Sequence, residues 1–117
     1  MSSINPYIKV ELIKPYLANG WKEIYQELYE QAGIYKNAFG EVKFEGLIQG
    51  DWKTKIFTLP PGFRPLKRHL FVINASGGFQ RLDVLPNGDV FLSKSGSNGI
   101  EGKGWISLDG VSFYSKQ

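Results

Sequence analysis

The segment spanning residues 81–92, RLDVLPNGDVFL, restricts the possible folds more strongly than any other part of the sequence. Apolar and polar residues alternate on both sides of Pro-Asn-Gly, which is the pattern of a β-hairpin with one buried face. Pro86 and Asn87 suit the central positions of a type I turn, and Gly88 suits the left-handed residue of a bulge. This three-residue loop predicts two apolar cross-strand pairs: Val84 with Val90 and Leu82 with Leu92.

Other parts of the chain also favour short strands. In EVKFEGLI, residues 41–48, apolar residues alternate with charged ones, and Gly46 is the expected position of a bulge or of a close backbone approach. In GWISLDGVSFY, residues 104–114, the alternation changes phase, so we expect a β-bulge at Asp109 and Gly110 within one closing strand. Aromatic residues make up 15% of the chain and glycines number 14, a mixture that suits strands joined by tight turns. The sequence predicts an all-β domain, an antiparallel β-sandwich of jelly-roll-like type.

The segment from residue 21 to residue 32 contains conflicting patterns. Trp21, Tyr25 and Leu28 belong to an apolar set that recurs at helical spacing, while Gly33 suits a helix end. Taken alone, this spacing favours a short amphipathic helix within the otherwise all-β fold, and extended structure stays the alternative. Residues 1–18 are mixed in character and contain two prolines, so we expect an N-terminal lead-in or linker followed by one domain over residues 19–117.

A rigid corner, LPPGFRP, lies at residues 59–65 between two β-forming runs. Proline has no N–H to give to a strand ladder, so this segment must be an excursion between strands. We expect Gly62 to permit the turn, Phe63 to attach the corner to the core, and Arg64 to bind nearby carbonyls or carboxylates. The later Gly-rich segment, residues 93–104, is expected to be a surface loop available for contacts.

Catalytic and metal-binding patterns are absent from the sequence. The chain has no cysteine and one histidine, His69, and it has no G-x-S-x-G motif. The Gly-rich segment does not match a phosphate-binding loop, because Ser97 and Gly104 occupy positions that need glycine and serine or threonine. The carboxylates are dispersed without ligand spacing. The sequence therefore predicts neither an enzyme nor a cofactor, although paired carboxylates for glycoside cleavage stay open at this stage.

Charge and hydropathy also limit the partners. A net charge of +3 is too small to indicate nucleic acid, and acidic residues interrupt the basic run near residues 64–69. The apolar run at residues 70–73 is far too short to span a membrane. The first residues lack the charged-then-apolar pattern of a signal peptide. We therefore expect no nucleic acid, no membrane insertion and synthesis in the cytoplasm without a signal peptide.

Sugar binding is the chemistry that the residues accommodate best. Sugars are recognised by aromatic faces that cover C–H groups and by planar charged groups that bind hydroxyls. Arg81 and Asp83 lie two apart on one strand face, and the hairpin register places Phe91 opposite Asp83. Tryptophans and the histidine add aromatic candidates, although each residue could equally belong to a core or a subunit interface. The predicted saccharide-binding residues are Trp52, His69, Arg81, Asp83 and Trp105.

Five segments in order also resemble one protein family. They are NGW (19–21), YKNAFGEVKFEGLI (35–48), IFTLPPGFRP (56–65), RLDVLPNGDV (81–90) and GWISLDGVSF (104–113). Together they resemble the C-terminal receptor-binding (head) domains of tail-fibre and baseplate proteins from phages and prophages of Gram-positive bacteria. The resemblance covers residues 16–114.

The resemblance implies an all-β homotrimer at the tail tip of a virion, joined through its N-terminus to other tail or baseplate proteins. It implies adhesion to host cell-wall saccharide or teichoic acid without catalysis, and an extended segment after NGW. No family binding position transfers to a numbered residue here. The alternative function is a monomeric carbohydrate-binding module appended to a larger tail or surface enzyme.

Overall fold

A computed structural model describes residues 11–93 and 102–115, which form two antiparallel β-sheets and no helix. This confirms the predicted all-β sandwich. The strands of the described residues are β1 Glu11–Ile13, β2 Lys22–Glu23, β3 Gly33–Lys36, β4 Glu41–Glu45, β5 Leu47–Asp51, β6 Phe57–Thr58, β7 His69–Ala75, β8 Gly78–Val84, β9 Asp89–Ser93, β10 Lys103–Ser107 and β11 Ser112–Tyr114. The described segments contain no helix long and apolar enough to cross a membrane.

The smaller sheet has the strand order β1-β3-β4-β11, and the larger has the order β2-β5-β10-β7-β8-β9-β6. The core lies between the two sheets and is rich in aromatic and β-branched residues. Phe44 contacts Phe57 and Phe113 edge-to-face, with ring centroids 5.4 and 5.8 Å apart, so aromatic packing joins the sheets. Because strand side chains alternate between faces, the larger sheet also has an outer face that points away from this core.

The predicted hairpin is confirmed. β8 and β9 pair with Leu82 opposite Leu92 and Val84 opposite Val90, and all four side chains are buried. The N–H of Gly88 donates to the carbonyl of Leu85 at 2.8 Å, and Gly88 has φ = +95°. The turn chemistry therefore sets the register that buries one apolar face.

The predicted helix over residues 21–32 is wrong. Trp21 is buried, β2 follows it, and the remainder is a loop with one turn in which Tyr25 O accepts hydrogen bonds from the N–H groups of Leu28 and Tyr29. Trp21 packs on Gly50, where an added Cβ would overlap the indole ring at Cδ2. Burial of Trp21 on the sheet and pairing of β2 with β5 outweigh the helical spacing of the apolar residues.

The predicted bulge in the closing strand is also wrong, although Ile106, Leu108, Val111 and Phe113 are all buried as expected. β10 belongs to the larger sheet and β11 to the smaller one, so residues 108–111 form a turn between sheets. The strands β4 and β5 change sheets in the same way at Gly46. An added Cβ on Gly46 would lie 2.6 Å from the Ala32 Cα, so the expected close approach is confirmed there.

The proline corner has the expected structure. Phe63 is buried, Gly62 has φ = +94°, and the Arg64 Nε donates to the carbonyl of Leu59 at 2.8 Å. The Leu59 N–H donates to the carbonyl of Gly88 at 2.8 Å, which joins the corner to the hairpin turn. LPPGFRP is therefore an architectural element that is attached to the turn between β8 and β9.

Two predicted segments fall partly outside the described residues. Residues 1–10 of the predicted lead-in and residues 94–101 of the Gly-rich loop lie outside them. Of the lead-in, Glu11–Ile13 form β1 and pair with β3, so this part contributes a strand to the smaller sheet.

Candidate saccharide-binding cleft

A cleft of about 440 Å³ lies on the outer face of the larger sheet, beside the loop that joins β2 to β3. Three aromatic side chains line it: Tyr25 and Tyr29 from the loop, and Trp105 from β10. Its volume falls within the range of about 300–1,000 Å³ typical of small-molecule sites. We call it the aromatic cleft.

The sheet itself fixes the position of Trp105. Ile106 is fully buried in the core, so its neighbours Trp105 and Ser107 point to the outer face. Ile73 and Ala75 of β7 are buried in the same way, which places Asn74 on the outer face too. β10 lies between β5 and β7, and the three strands form the floor of the cleft.

The loop over residues 24–32 forms one wall. The Ile24 N–H donates to the carbonyl of Leu47 at 3.2 Å, which attaches the start of the loop to β5. Tyr25 has φ = +52°, a left-handed conformation that is uncommon for a bulky residue. Residues in such sparsely populated conformations cluster at active sites and ligand-binding sites. Tyr25 and Tyr29 are half or more exposed, so both rings are accessible to a ligand.

Four polar residues lie among the aromatic ones: Glu30, Asn74, Ser107 and Asp109. Asp109 is held in place, because its Oδ1 accepts the Gly46 N–H at 2.9 Å and its N–H donates to the Ser107 Oγ at 3.2 Å. The carboxylates accept hydrogen bonds from hydroxyls or ammonium groups, and the amide both donates and accepts. Aromatic faces together with carboxylates and an amide can cover the C–H groups and bind the hydroxyls of a sugar ring.

The predicted pair Arg81 and Asp83 lies elsewhere on the same outer face. The Arg81 Nε donates to the Asp83 Oδ1 at 2.9 Å, and the Arg68 Nε donates to Oδ2 at 2.9 Å. Burial raises the pKa of Asp83, but the hydrogen bonds and charges of the two arginines outweigh it, so the pKa lies below its ordinary value. Phe91 faces Asp83 across the hairpin as predicted, and the Arg68 guanidinium lies 5.6 Å from its ring centroid.

This ion cluster is already satisfied internally. Asp83 is fully buried beneath the two guanidinium groups, although it lies on the outer face of its strand. An incoming hydroxyl therefore has no access to its carboxylate while both arginines stay in place. The hydrogen bonds to Asp83 also raise the pKa of Arg81 further above its usual value.

The other two predicted residues lie in separate places. Trp52 is 4% exposed, and its Nε1 donates to the carbonyl of Gly104 at 3.3 Å, so its ring has no open face for a sugar. His69 lines a second hollow of about 530 Å³, and its ring stacks on Phe113 with centroids 5.7 Å apart. That hollow also contains Lys67 and Tyr114.

The structure therefore distributes the five predicted residues over four places, and it brings only Arg81 and Asp83 together. Their role in binding stays a prediction. Sequence reasoning missed the cleft residues Tyr25, Tyr29, Asn74 and Asp109. The high content of Glu, Gln and Lys around these tyrosines was the available sign, because such residues are mostly exposed and favour a segment that faces solvent. The described residues contain no group of three or more His, Asp or Glu that could hold a metal ion.

Comparison with known proteins gave no relative: no family model, no curated protein and no solved structure matches this chain.

Proposed function

We propose that this chain is a receptor-binding domain of a phage tail tip or baseplate, which adheres to host cell-wall saccharide or teichoic acid without catalysis. The aromatic cleft carries the proposal. Tyr25, Tyr29 and Trp105 offer ring faces, and Asn74 and Asp109 offer hydrogen-bonding groups at one concave site. The sequence resemblance supplies the biological setting, a virion protein made in the host cytoplasm and joined to other tail proteins through its N-terminus.

Cell-wall binding tests this function directly. Labelled protein should sediment with walls of a Gram-positive host, and Trp105→Ala should weaken binding by roughly 1–3 kcal/mol if the ring is a binding hot spot. Tyr16→Ala is the matched control, because Tyr16 is 85% exposed and does not line the cleft. Equal loss in both variants, or no wall binding by the wild type, contradicts the proposal. Release of reducing sugar from purified walls contradicts the non-enzymatic part.

We also propose that three copies associate through the outer face of β7 and β8. Leu70, Val72 and Phe79 are 54%, 78% and 55% exposed there. Val72 pairs with Arg81 and Leu70 pairs with Asp83, so these apolar side chains adjoin the ion cluster. A contiguous exposed apolar patch of this kind is typical of a protein interface.

Light scattering tests the assembly. The wild type should have the mass of a trimer, and Leu70→Glu should reduce it to a monomer, because a carboxylate would be buried in the interface opposite Asp83. Tyr114→Glu is the control, since Tyr114 is exposed to the same degree as Leu70 and lies on the other sheet. A wild type that is monomeric at micromolar concentration contradicts the trimer. It would favour the alternative, a monomeric carbohydrate-binding module appended to a larger enzyme.

A further inference from the structure

The charged side chains that line the aromatic cleft are acidic. Among the described residues that line it, Glu30 and Asp109 are the charged ones, and both are acidic. Lys14 lines the neighbouring hollow on the other side of the same loop, and its Nζ is paired with Glu23 at 3.1 Å. A ligand in the cleft therefore meets two carboxylates without a compensating lysine or arginine from these lining residues.

Cell-wall polymers differ in the charge that they would bring to this site. A phosphodiester backbone carries one negative charge per repeat, and it is bound in proteins by Arg, Lys or helix N-termini. The described lining of the cleft has none of these, and like charges at short range repel. A pyranose ring without an acidic group meets no such repulsion. An amino-bearing ring gains attraction from the carboxylates and from the tyrosine and tryptophan faces.

The lysines nearest in sequence and sheet register, Lys22 and Lys103, line a separate hollow that shares no lining residue with the aromatic cleft. The arginines of the outer face offer no phosphate site either. Arg68 and Arg81 both donate to Asp83 on this face. Their donors are directed at a buried carboxylate, which also neutralises one of the two charges. A phosphate would have to displace Asp83, and that would leave its charge buried without a partner.

We infer that the aromatic cleft selects an uncharged or amino-bearing sugar ring and rejects the phosphodiester backbone of teichoic acid. This inference rests on the proposed function, which it narrows from two classes of wall polymer to one. Trp105 and the two tyrosines stack on the C–H face of the ring. Asn74 binds its hydroxyls, and Glu30 with Asp109 sets the preference by charge.

Calorimetric titration with three soluble probes tests the selection. The probes are an oligomer of N-acetylglucosamine, which is neutral, an oligomer of glucosamine, which is cationic, and an oligomer of glycerol phosphate, which is anionic. We expect both sugar oligomers to bind, with affinities that fall at least tenfold in Trp105→Ala. We expect glycerol phosphate to show no binding that depends on Trp105, at low or at high salt.

A charge variant isolates the electrostatic part. Glu30→Gln should weaken binding of the glucosamine oligomer at least threefold more than it weakens binding of the N-acetylglucosamine oligomer. Glu27→Gln is the matched control, because Glu27 lies on the same loop and lines the neighbouring hollow but not the aromatic cleft. Equal effects of the two variants on glucosamine binding overturn the assigned role of Glu30.

Failure of this inference is distinguishable from failure of the proposed function. Trp105-dependent binding of glycerol phosphate overturns the inference, as does the absence of binding by both sugar oligomers. Walls from which teichoic acid has been removed provide the second arm. If they lose all Trp105-dependent binding while intact walls keep it, the inference is wrong and the proposed function stands. If the sugar oligomers bind but no wall does, the inference stands and the proposed function is wrong.

Discussion

The backbone N–H of Gly46 donates a hydrogen bond of 2.9 Å to the Asp109 Oδ1, across 63 residues of sequence. The carbonyl of Gly46 also accepts the N–H of Leu108 at 2.8 Å. Both chain segments pass from one sheet to the other at this point, so the two crossings hold each other in place. Gly46 is further confined by Ala32, which packs directly against its Cα.

Gly46→Ala should be among the most destabilising single substitutions in this chain. Gly46 has φ = +117°, and an added Cβ would lie 2.6 Å from the backbone of Ala32. We expect a loss of about 1–2 kcal/mol from backbone strain and about 1–3 kcal/mol more from the overlap, measured by urea unfolding. Gly110→Ala is the control for strain alone, because Gly110 has φ = +90° with nothing within 4 Å of the added atom. Equal losses in the two variants would contradict the close approach.

Asp83 should make the protein sensitive to acid. Its pKa is below its ordinary value in the folded state, so its stabilising effect is complete at neutral pH. That effect is lost as the pH falls below about 4, the ordinary pKa of aspartate, through the lower folded pKa. Asp83→Asn should lower the free energy of unfolding at pH 7 by roughly 1–3 kcal/mol, since both arginines lose a charged acceptor.

The same variant should flatten the acid limb of the stability curve. Denaturant unfolding at a series of pH values measures this, with Glu27→Gln as the control for removal of one exposed carboxylate. If wild type and Asp83→Asn lose stability equally on acidification, the ion cluster does not control acid stability.

Tyr35 should make the protein sensitive to alkaline pH. Its phenol donates a hydrogen bond to the Glu45 carboxylate, and this bond, together with burial and nearby negative charge, raises the pKa of Tyr35 to about 12. A raised pKa contributes stability that is complete below pH 10 and is lost as the pH rises from 10 to about 12. Tyr35→Phe should remove this part of the alkaline decline. Tyr16→Phe, at an exposed tyrosine, should retain it, and a decline that is identical in all three proteins would refute the role of Tyr35.

Tryptophan fluorescence should report on the aromatic cleft. Trp21 and Trp52 are each 4% exposed, whereas Trp105 is half-buried and lines the cleft. Acrylamide should therefore quench mainly Trp105, and Trp105→Phe should remove most of the accessible fraction. Because Glu30 and Asp109 are acidic, caesium should quench Trp105 more strongly than iodide does when each ion is scaled to its quenching of free N-acetyltryptophanamide. Stronger scaled quenching by iodide would contradict the negative charge assigned to the cleft.

Local chemistry determined which parts of the fold could be predicted from the sequence. The Pro86-Asn87-Gly88 turn sets its own hairpin register, and the prolines of LPPGFRP exclude a strand whatever surrounds them. The passage of β10 into β11 between sheets could not be predicted, because it depends on Gly46, 63 residues away from Asp109. A β-bulge and a turn between two sheets produce the same change of phase in the apolar pattern, so the sequence does not distinguish them.

The candidate site was predicted only in part, for the same reason. The strand alternation around Ile106 places Trp105 on the outer face, and Arg81 and Asp83 lie together because they are two residues apart on one strand. Tyr25 and Tyr29 join Trp105 through a loop whose left-handed residue is a tyrosine, a conformation that no sequence rule favours. The burial of Trp52 depends on its contact with the chain near Gly104, which is equally non-local.

The loop that builds one wall of the cleft consists of seven consecutive exposed residues, 25–31, between Ile24, which is bonded to β5, and the buried Ala32. Exposed substitutions away from caps and strained positions change stability little, usually within about 0.5 kcal/mol. Except at Tyr25, this segment can therefore accept new side chains while the sandwich beneath it keeps its packing. Under the proposed function, selection for a different binding target acts on these few codons, and the capacity to change target is uncoupled from the capacity to fold.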